Sequence, residues 1–248
     1  MSWLRLVRSE VRKITTTKMP WAFVAVLVAI SVITAIAVIF GTDADGTKGF
    51  IATAEDQRSL MAFAANAMMI AGLFGAIAVA REYGHGTVVP TFLTSPRRHR
   101  AVLAQFTAIL LAGAILGLVG AAFTIVAGAV SIAMIDREFL LLAGDAARLL
   151  AASAFAGAMG ATLGAGVGAL VRNTGGAVTA AVLLLIIVPP IAVQLWADAA
   201  SWVPSTLGFV VSGVGEEPGI WASLVTLVMW GILPAAAGLI AVQRRDVV

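Results

Sequence analysis

The chain has 248 residues, of which 60% are hydrophobic and 12% are Asp, Glu, Lys or Arg, with a formal net charge of +3 and no cysteine. That charged share is about half of what soluble domains carry, which excludes an ordinary soluble enzyme. The missing thiols exclude disulfides, thiolate metal sites and cysteine nucleophiles. Six stretches carry no charge: Met19–Thr42, Ser59–Ala80, Ala101–Ile135, Leu149–Val171, Asn173–Ala197 and Pro218–Gln243. Each is long enough to cross a hydrocarbon core of about 30 Å as a helix. The fold class expected is an all-α membrane protein of six transmembrane helices with an N-terminal amphipathic interfacial helix, both termini cytoplasmic.

Residues 1–18 come first. Trp3, Leu6, Val7, Val11 and Ile14 share one helical face, while Arg5, Arg8, Arg12 and Lys13 lie on others. This pattern predicts a basic amphipathic helix in the inner headgroup region, held there by the negative membrane surface. The remainder, 19–248, reads as a six-span transmembrane domain. Met19-Pro20 opens the first span, 19–41, whose apolar core from Trp21 to Phe40 is longer than the apolar region of a cleaved signal peptide. An acidic outer loop leads to the second span, 60–81. The connection 82–100 is the longest on the inner side. The third span, 101–135, would make roughly 52 Å of helix, so a single tilted or projecting helix is expected, with Ser95-Pro96 as N-cap and first helical position. Spans four and five, 149–171 and 175–196, are joined by the tight hairpin Arg172-Asn173-Thr174-Gly175-Gly176. Pro189-Pro190 predicts a break or kink in the fifth. Residues 197–217 are apolar but interrupted by Pro204, Gly208, Gly213 and Gly215. They read as short re-entrant or interfacial pieces, with Trp196, Trp202 and Trp221 at headgroup level. The sixth span covers 219–243.

Charge sets the orientation. With the N-terminus inside, the inner segments hold Arg5, Arg8, Arg12, Lys13, Lys18, Arg81, Arg97, Arg98, Arg100, Arg172, Arg244 and Arg245, while only Lys48, Arg58, Arg137 and Arg148 lie outside. This is the positive-inside pattern. Gly160, Gly164 and Gly168, and Gly113 and Gly117 continued by Ala121, repeat at four-residue spacing. Such faces let helices approach closely in lipid, here more readily within one subunit than between two.

No phosphate-binding GxxxxGK[ST] loop, HExxH motif or GxSxG elbow occurs, and both histidines, His85 and His99, fall in the inner loop. No ionisable residue stands inside the expected spans, which argues against a proton-driven carrier. Sodium coupling through unwound backbone carbonyls stays open. Transport work would therefore draw its energy from another polypeptide through a cytoplasmic loop.

That loop carries Glu82, then Gly86-Thr87, Phe92-Leu93 and Ser95-Pro96-Arg97-Arg98. In this order and spacing, and with the layout of the whole chain, it resembles the permease subunits of type-2 exporter ABC transporters. Pro90 falls where that family has its coupling helix. The resemblance implies a permease forming the translocation path of an ATP-driven exporter, with Glu82, Gly86, Thr87, Phe92, Leu93, Arg97 and Arg98 coupling it to a partner. It implies two copies of a separate ATP-binding cassette subunit, which holds ATP and Mg, and a second permease copy as homodimer or related heterodimer. No catalytic, cofactor or metal site is expected in this chain. Membrane lipids but no nucleic acid complete the expected partners, and the expected location is the bacterial plasma (inner) membrane, crossed several times.

The residues themselves point the same way. Phe92 and Leu93 are apolar in an otherwise exposed loop, as if covered by a partner. Gly84 and Gly86 let the chain leave the second span. Arg97, Arg98 and Arg100 either pair with acidic groups or lipid phosphates, or simply set topology. Glu82 either pairs locally with Arg81 or latches to the interfacial helix. The competing readings are a non-transporting anchor or sensor subunit and an ion-coupled secondary transporter. Uncharged spans favour an apolar or amphipathic cargo.

Overall fold

A computed structural model describes residues 3–65, 67–84, 86 and 98–244. These residues form α1 (Trp3–Thr15), α2 (Met19–Phe40), a 3₁₀ turn (Gly49–Ile51), α3 (Ala54–Ala64), α4 (Ala67–Gly84), α5 (Arg98–Met134) and α6 (Ala143–Val171). Then follow α7 (Thr174–Val182), a π turn (Leu183–Ile187), α8 (Val188–Leu195), a second 3₁₀ turn (Ala197–Trp202), α9 (Pro204–Ser212) and α10 (Ile220–Arg244). No strand occurs among the described residues. Among the described residues, six helical stretches are long and apolar enough to cross a membrane: Met19–Phe40, Ala54–Gly84, His99–Met134, Ala143–Val171, Thr174–Leu195 and Ile220–Arg244. The end of the bundle that carries α1 is called the inner end, after the charge bias.

Helix α6 is the centre. It packs against α4, α5 and α10, and every residue from Ala156 to Ala169 is buried. Its sequence is built for this. A Cβ on Gly164 would collide with the Gly72 carbonyl of α4, one on Gly157 with the Gly113 carbonyl of α5, and one on Gly166 with the backbone of Pro234 in α10. Lipid tails are as apolar as leucine, so close backbone packing, more than hydrophobic burial, holds such helices together. The glycine repeats on α5 and α6 therefore serve packing within the chain.

The length of α5 has a simple geometric explanation. Helix α2 runs beside it in parallel: the Ser31 and Thr124 hydroxyls are 3.3 Å apart, and Leu27 lies against Gly120. Both pairs share one register. Carried back, it puts Met19 level with Ala112, so α5 continues about 20 Å past the inner end of α2. Helix α1 lies along that extension, with Leu6 buried and Ile14 against the cluster that includes Val102, Phe106 and Ile109. Pro20 sits in the first turn of α2, where a missing N–H leaves no carbonyl unpaired.

Three details differ from the sequence reading. The loop ahead of the second span contains α3, opened by a Thr53–Asp56 capping box, so helix starts at Ala54, well before 60. Helix α6 starts at Ala143 and takes in Asp145 and Arg148, because both have partners: Arg58 lies 3.5 Å from Asp145, and Arg148 donates to the carbonyls of Val211 and Val210 at 3.0 and 3.2 Å. Pro189-Pro190 does not break the fifth span. A π turn precedes the pair, with the Val188 N–H bonded to the Leu183 carbonyl, and the wider turn makes room for two residues without N–H donors. Residues after Trp196 form short helical pieces, of which α9 packs on α6 and α10. The expected N-cap at Ser95-Pro96, like Pro90, lies outside the described residues.

Candidate functional site: the inner end of α4

The last turn of α4 is Arg81-Glu82-Tyr83-Gly84. It leads directly into the connection singled out from the sequence, and two of its side chains are fastened to other helices.

On one side stands α1. Lys13 Nζ is 2.8 Å from Glu10 and 3.6 Å from Glu82. Both carboxylates are largely shielded, with side chains 8% and 15% exposed. Glu10 is buried because it lies one turn before Lys13, on the face of α1 turned into the bundle. A small hollow of about 20 Å³, lined by Glu10, Lys13, Arg81 and Glu82 together with apolar residues such as Phe74 and Ile109, completes this junction of α1, α4 and α5. Above it, the Phe23 ring of α2 meets Phe74 of α4 edge to face at 5.4 Å.

On the other side stands the α6–α7 hairpin. Arg172 caps α6 in the left-handed region (φ 56°), its N–H bonded to the Gly168 carbonyl. Its guanidinium lies 5.2 Å from the centre of the Tyr83 ring, and Nη2 donates to the Ala241 carbonyl of α10 at 3.3 Å. The Asn173 side chain then caps α7 by accepting from the Gly176 N–H. One residue thus ties the inner ends of α4, α6 and α10 together.

Of the seven residues expected to couple the chain to a partner, Glu82 stands in the last turn of α4 with Lys13 of α1 at 3.6 Å, so the latch to α1 is present. Gly86 follows with φ +67° and its N–H on the Tyr83 carbonyl at 3.2 Å, a conformation that suits glycine. Arg98 opens α5. Thr87, Phe92, Leu93 and Arg97 lie outside the described residues. Sequence reasoning missed Tyr83 and the role of Arg172. The signals were available: Tyr83 is the sole tyrosine of the chain, and Arg172 is the lone charge between spans four and five.

No group of three or more His, Cys, Asp or Glu side chains that could hold a metal occurs among the described residues. The arrangement joins the last turn of α4 to α1 on one side and to α6 and α10 on the other.

The family model described as ABC-2 family transporter protein matches residues 4–206, from α1 into the start of α9. No curated protein matches the chain closely enough to count as a relative.

Proposed function

Because this chain belongs to the ABC-2 transporter family, we propose that it is the permease subunit of an ATP-driven exporter, moved by a separate ATP-binding subunit that docks on the loop between α4 and α5. The observation that carries this reading is the double fastening of the last turn of α4, by Lys13–Glu82 to α1 and by Tyr83–Arg172 to α6 and α10. A loop attached to so braced a helix end passes force into the bundle without being lost in local bending.

In this reading the partner holds ATP and Mg, and its two copies grip two permease chains, identical or related, arranged about a two-fold axis. Closure of the ATP-binding subunits displaces the Gly86–Thr94 region, with Phe92 and Leu93 as apolar anchors and Arg97 and Arg98 facing acidic groups of the partner. Helices α4 and α5, the two ends of that loop, rock together with α1. The path opened between permease chains takes an apolar or amphipathic cargo, in keeping with the six uncharged stretches that make up the middle of the spans. The membrane is the bacterial plasma membrane, with both termini in the cytoplasm.

The test is co-expression with an ATP-binding cassette protein that lacks spans of its own, co-purification, and measurement of ATP hydrolysis in liposomes. The paired change Phe92→Asp and Leu93→Asp is expected to abolish assembly or stimulated hydrolysis. Full stimulation in that variant rules out the docking role, and transport in liposomes without nucleotide rules out the exporter.

A further inference from the structure

Between α2 and α5 runs a groove of about 650 Å³, and its lining is almost wholly apolar: Pro20, Trp21 and Val24 on one wall, Ile115, Val119 and Ala122 among others on the facing one. Its inner end is closed by Ile14 and Thr15, the last turn of α1. There the apolar lining stops and a second hollow, of about 640 Å³, begins on the neighbouring face of α1 with Arg5, Arg8, Ser9, Arg12, Lys13 and Thr16. Arg5, Arg8 and Arg12 are exposed, and among the described residues none of the three has a carboxylate within ion-pair distance. Arg12 is three residues from Thr15, so the basic hollow and the groove mouth are about one helical turn apart.

We propose that these two hollows form one site for an anionic glycerophospholipid of the inner leaflet, its phosphate on Arg8 and Arg12 and an acyl chain along α5. The occupant is argued from complementarity at both ends. An acyl chain needs an apolar slot with its long axis along the spans, and the α5 face from Ala112 to Val126 supplies one that α2 leaves uncovered. A phosphate with net negative charge needs unpaired cations at the depth where the chain begins, and α1 places guanidinium groups there. Trp21, exposed at the mouth, has the amphipathic ring that settles at headgroup level. A zwitterionic lipid would leave the arginines without a net counter-charge. A soluble anion would leave the groove empty. The site holds a lipid against both α1 and α5, the helices that meet at the Lys13 junction, so its occupant fixes how α1 sits on the bundle.

The inference requires α1 at the membrane surface, but no ATP-binding partner, so it is tested apart from the transport reading. The full chain is purified in detergent and titrated with dioleoylphosphatidylglycerol or dioleoylphosphatidylcholine, and bound lipid is counted by native mass spectrometry. The expected result is one tightly retained phosphatidylglycerol per chain, bound at least tenfold more tightly than phosphatidylcholine. Arg8→Gln with Arg12→Gln is expected to weaken phosphatidylglycerol roughly 30-fold and to erase the preference, while Arg8→Lys with Arg12→Lys keeps it. Ala122→Trp, placed at an exposed position of the groove, is expected to reduce binding of the retained lipid although every arginine is intact.

Equal binding of the two lipids by the unaltered chain overturns the proposal. So does undiminished phosphatidylglycerol binding by Ala122→Trp, which means a headgroup on α1 with no chain in the groove. If Ala122→Trp instead changes the oligomeric state, a second subunit fills the groove and the lipid assignment fails.

Discussion

Lys13 of α1 reaches Glu82 in the last turn of α4 across 3.6 Å, joining α1 to the helix end that enters the connection between α4 and α5. The lysine side chain is 41% exposed, so screening keeps the pair modest, about 0.5–1 kcal/mol of coupling in a double-mutant cycle. Its value is positional. Lys13→Met and Glu82→Gln, singly and together, are expected to show that coupling in thermal unfolding. Lys13→Cys with Glu82→Cys, in a chain without any cysteine of its own, is expected to cross-link rapidly with a short bifunctional thiol reagent. Failure to cross-link would place α1 elsewhere.

Arg172 and Tyr83 lead to a prediction with a built-in contrast. The arginine holds a left-handed backbone, which costs a non-glycine residue roughly 1–2 kcal/mol, and recovers that through its stacking on Tyr83 and its bond to Ala241. Tyr83→Phe keeps a ring under the guanidinium and is expected to unfold within a few tenths of a kcal/mol of the parent. Tyr83→Leu removes the π face and is expected to cost about 1 kcal/mol. Arg172→Gly should cost less than Arg172→Ala, because glycine relieves the strain that alanine keeps. Equal losses for the two Arg172 variants would show that the cap conformation is not what the arginine sustains.

Glycines of α6 and α9 differ in what surrounds them. A side chain at Gly164 meets the Gly72 carbonyl and the Ala76 nitrogen of α4, backbone atoms that cannot turn aside, whereas a Cβ at Gly208 in α9 meets nothing within 4 Å. Gly164→Ala is expected to lose about 2–3 kcal/mol or to force α4 and α6 apart. Gly208→Ala is expected to gain up to about 1 kcal/mol from helix propensity alone. Unfolding temperatures of both variants in one detergent decide the matter; comparable values would mean that α4 and α6 are not in contact at Gly164.

Six spans were legible because a stretch without charge has one solution in lipid: a helix that satisfies its own backbone. That the third span packs closely within the chain was legible in the Gly113 and Gly117 spacing, since only small residues let helix backbones touch, but that its partner is α6 came from the structure. What the residues left open was every choice that depends on a partner far along the chain. Glu82 had two candidate partners, Arg81 beside it and the basic helix some seventy positions earlier, and spacing cannot weigh them. Asp145 and Arg148 looked like loop residues because charge marks the end of a span, yet paired with Arg58 and the end of α9 they sit inside a helix. Tyr83 went unnoticed because an aromatic near a helix end has many uses, and its guanidinium partner is 89 positions away by sequence number.

Lys48 shows the same effect at the opposite end of the bundle, and it stands against the charge bias that sets the orientation. Its Nζ donates to the carbonyls of Val38, Ile39 and Gly41 at 2.7, 2.7 and 3.0 Å. These are groups at the C-terminus of α2 that have no N–H of a following turn to bond. An ammonium there meets both the orphan carbonyls and the negative end of the helix dipole. Because the chain folds back on itself between them, with the Asp43 N–H on the Thr47 carbonyl at 2.7 Å, the lysine also fixes where the first outer loop closes. Lys48→Met keeps the length of the side chain and removes the three bonds, and is expected to lower stability by about 1–3 kcal/mol. Lys48→Arg, which retains the charge but spreads its donors over a plane, is expected to recover part of the loss. Hydrogen exchange at the amides of Asp43 and Ala52 should quicken in Lys48→Met and stay slow in a control such as Arg137→Met, another basic residue on that side, which is exposed. If Lys48→Met leaves both the unfolding temperature and these amides unchanged, the lysine contributes charge to the outer surface and no cap to α2.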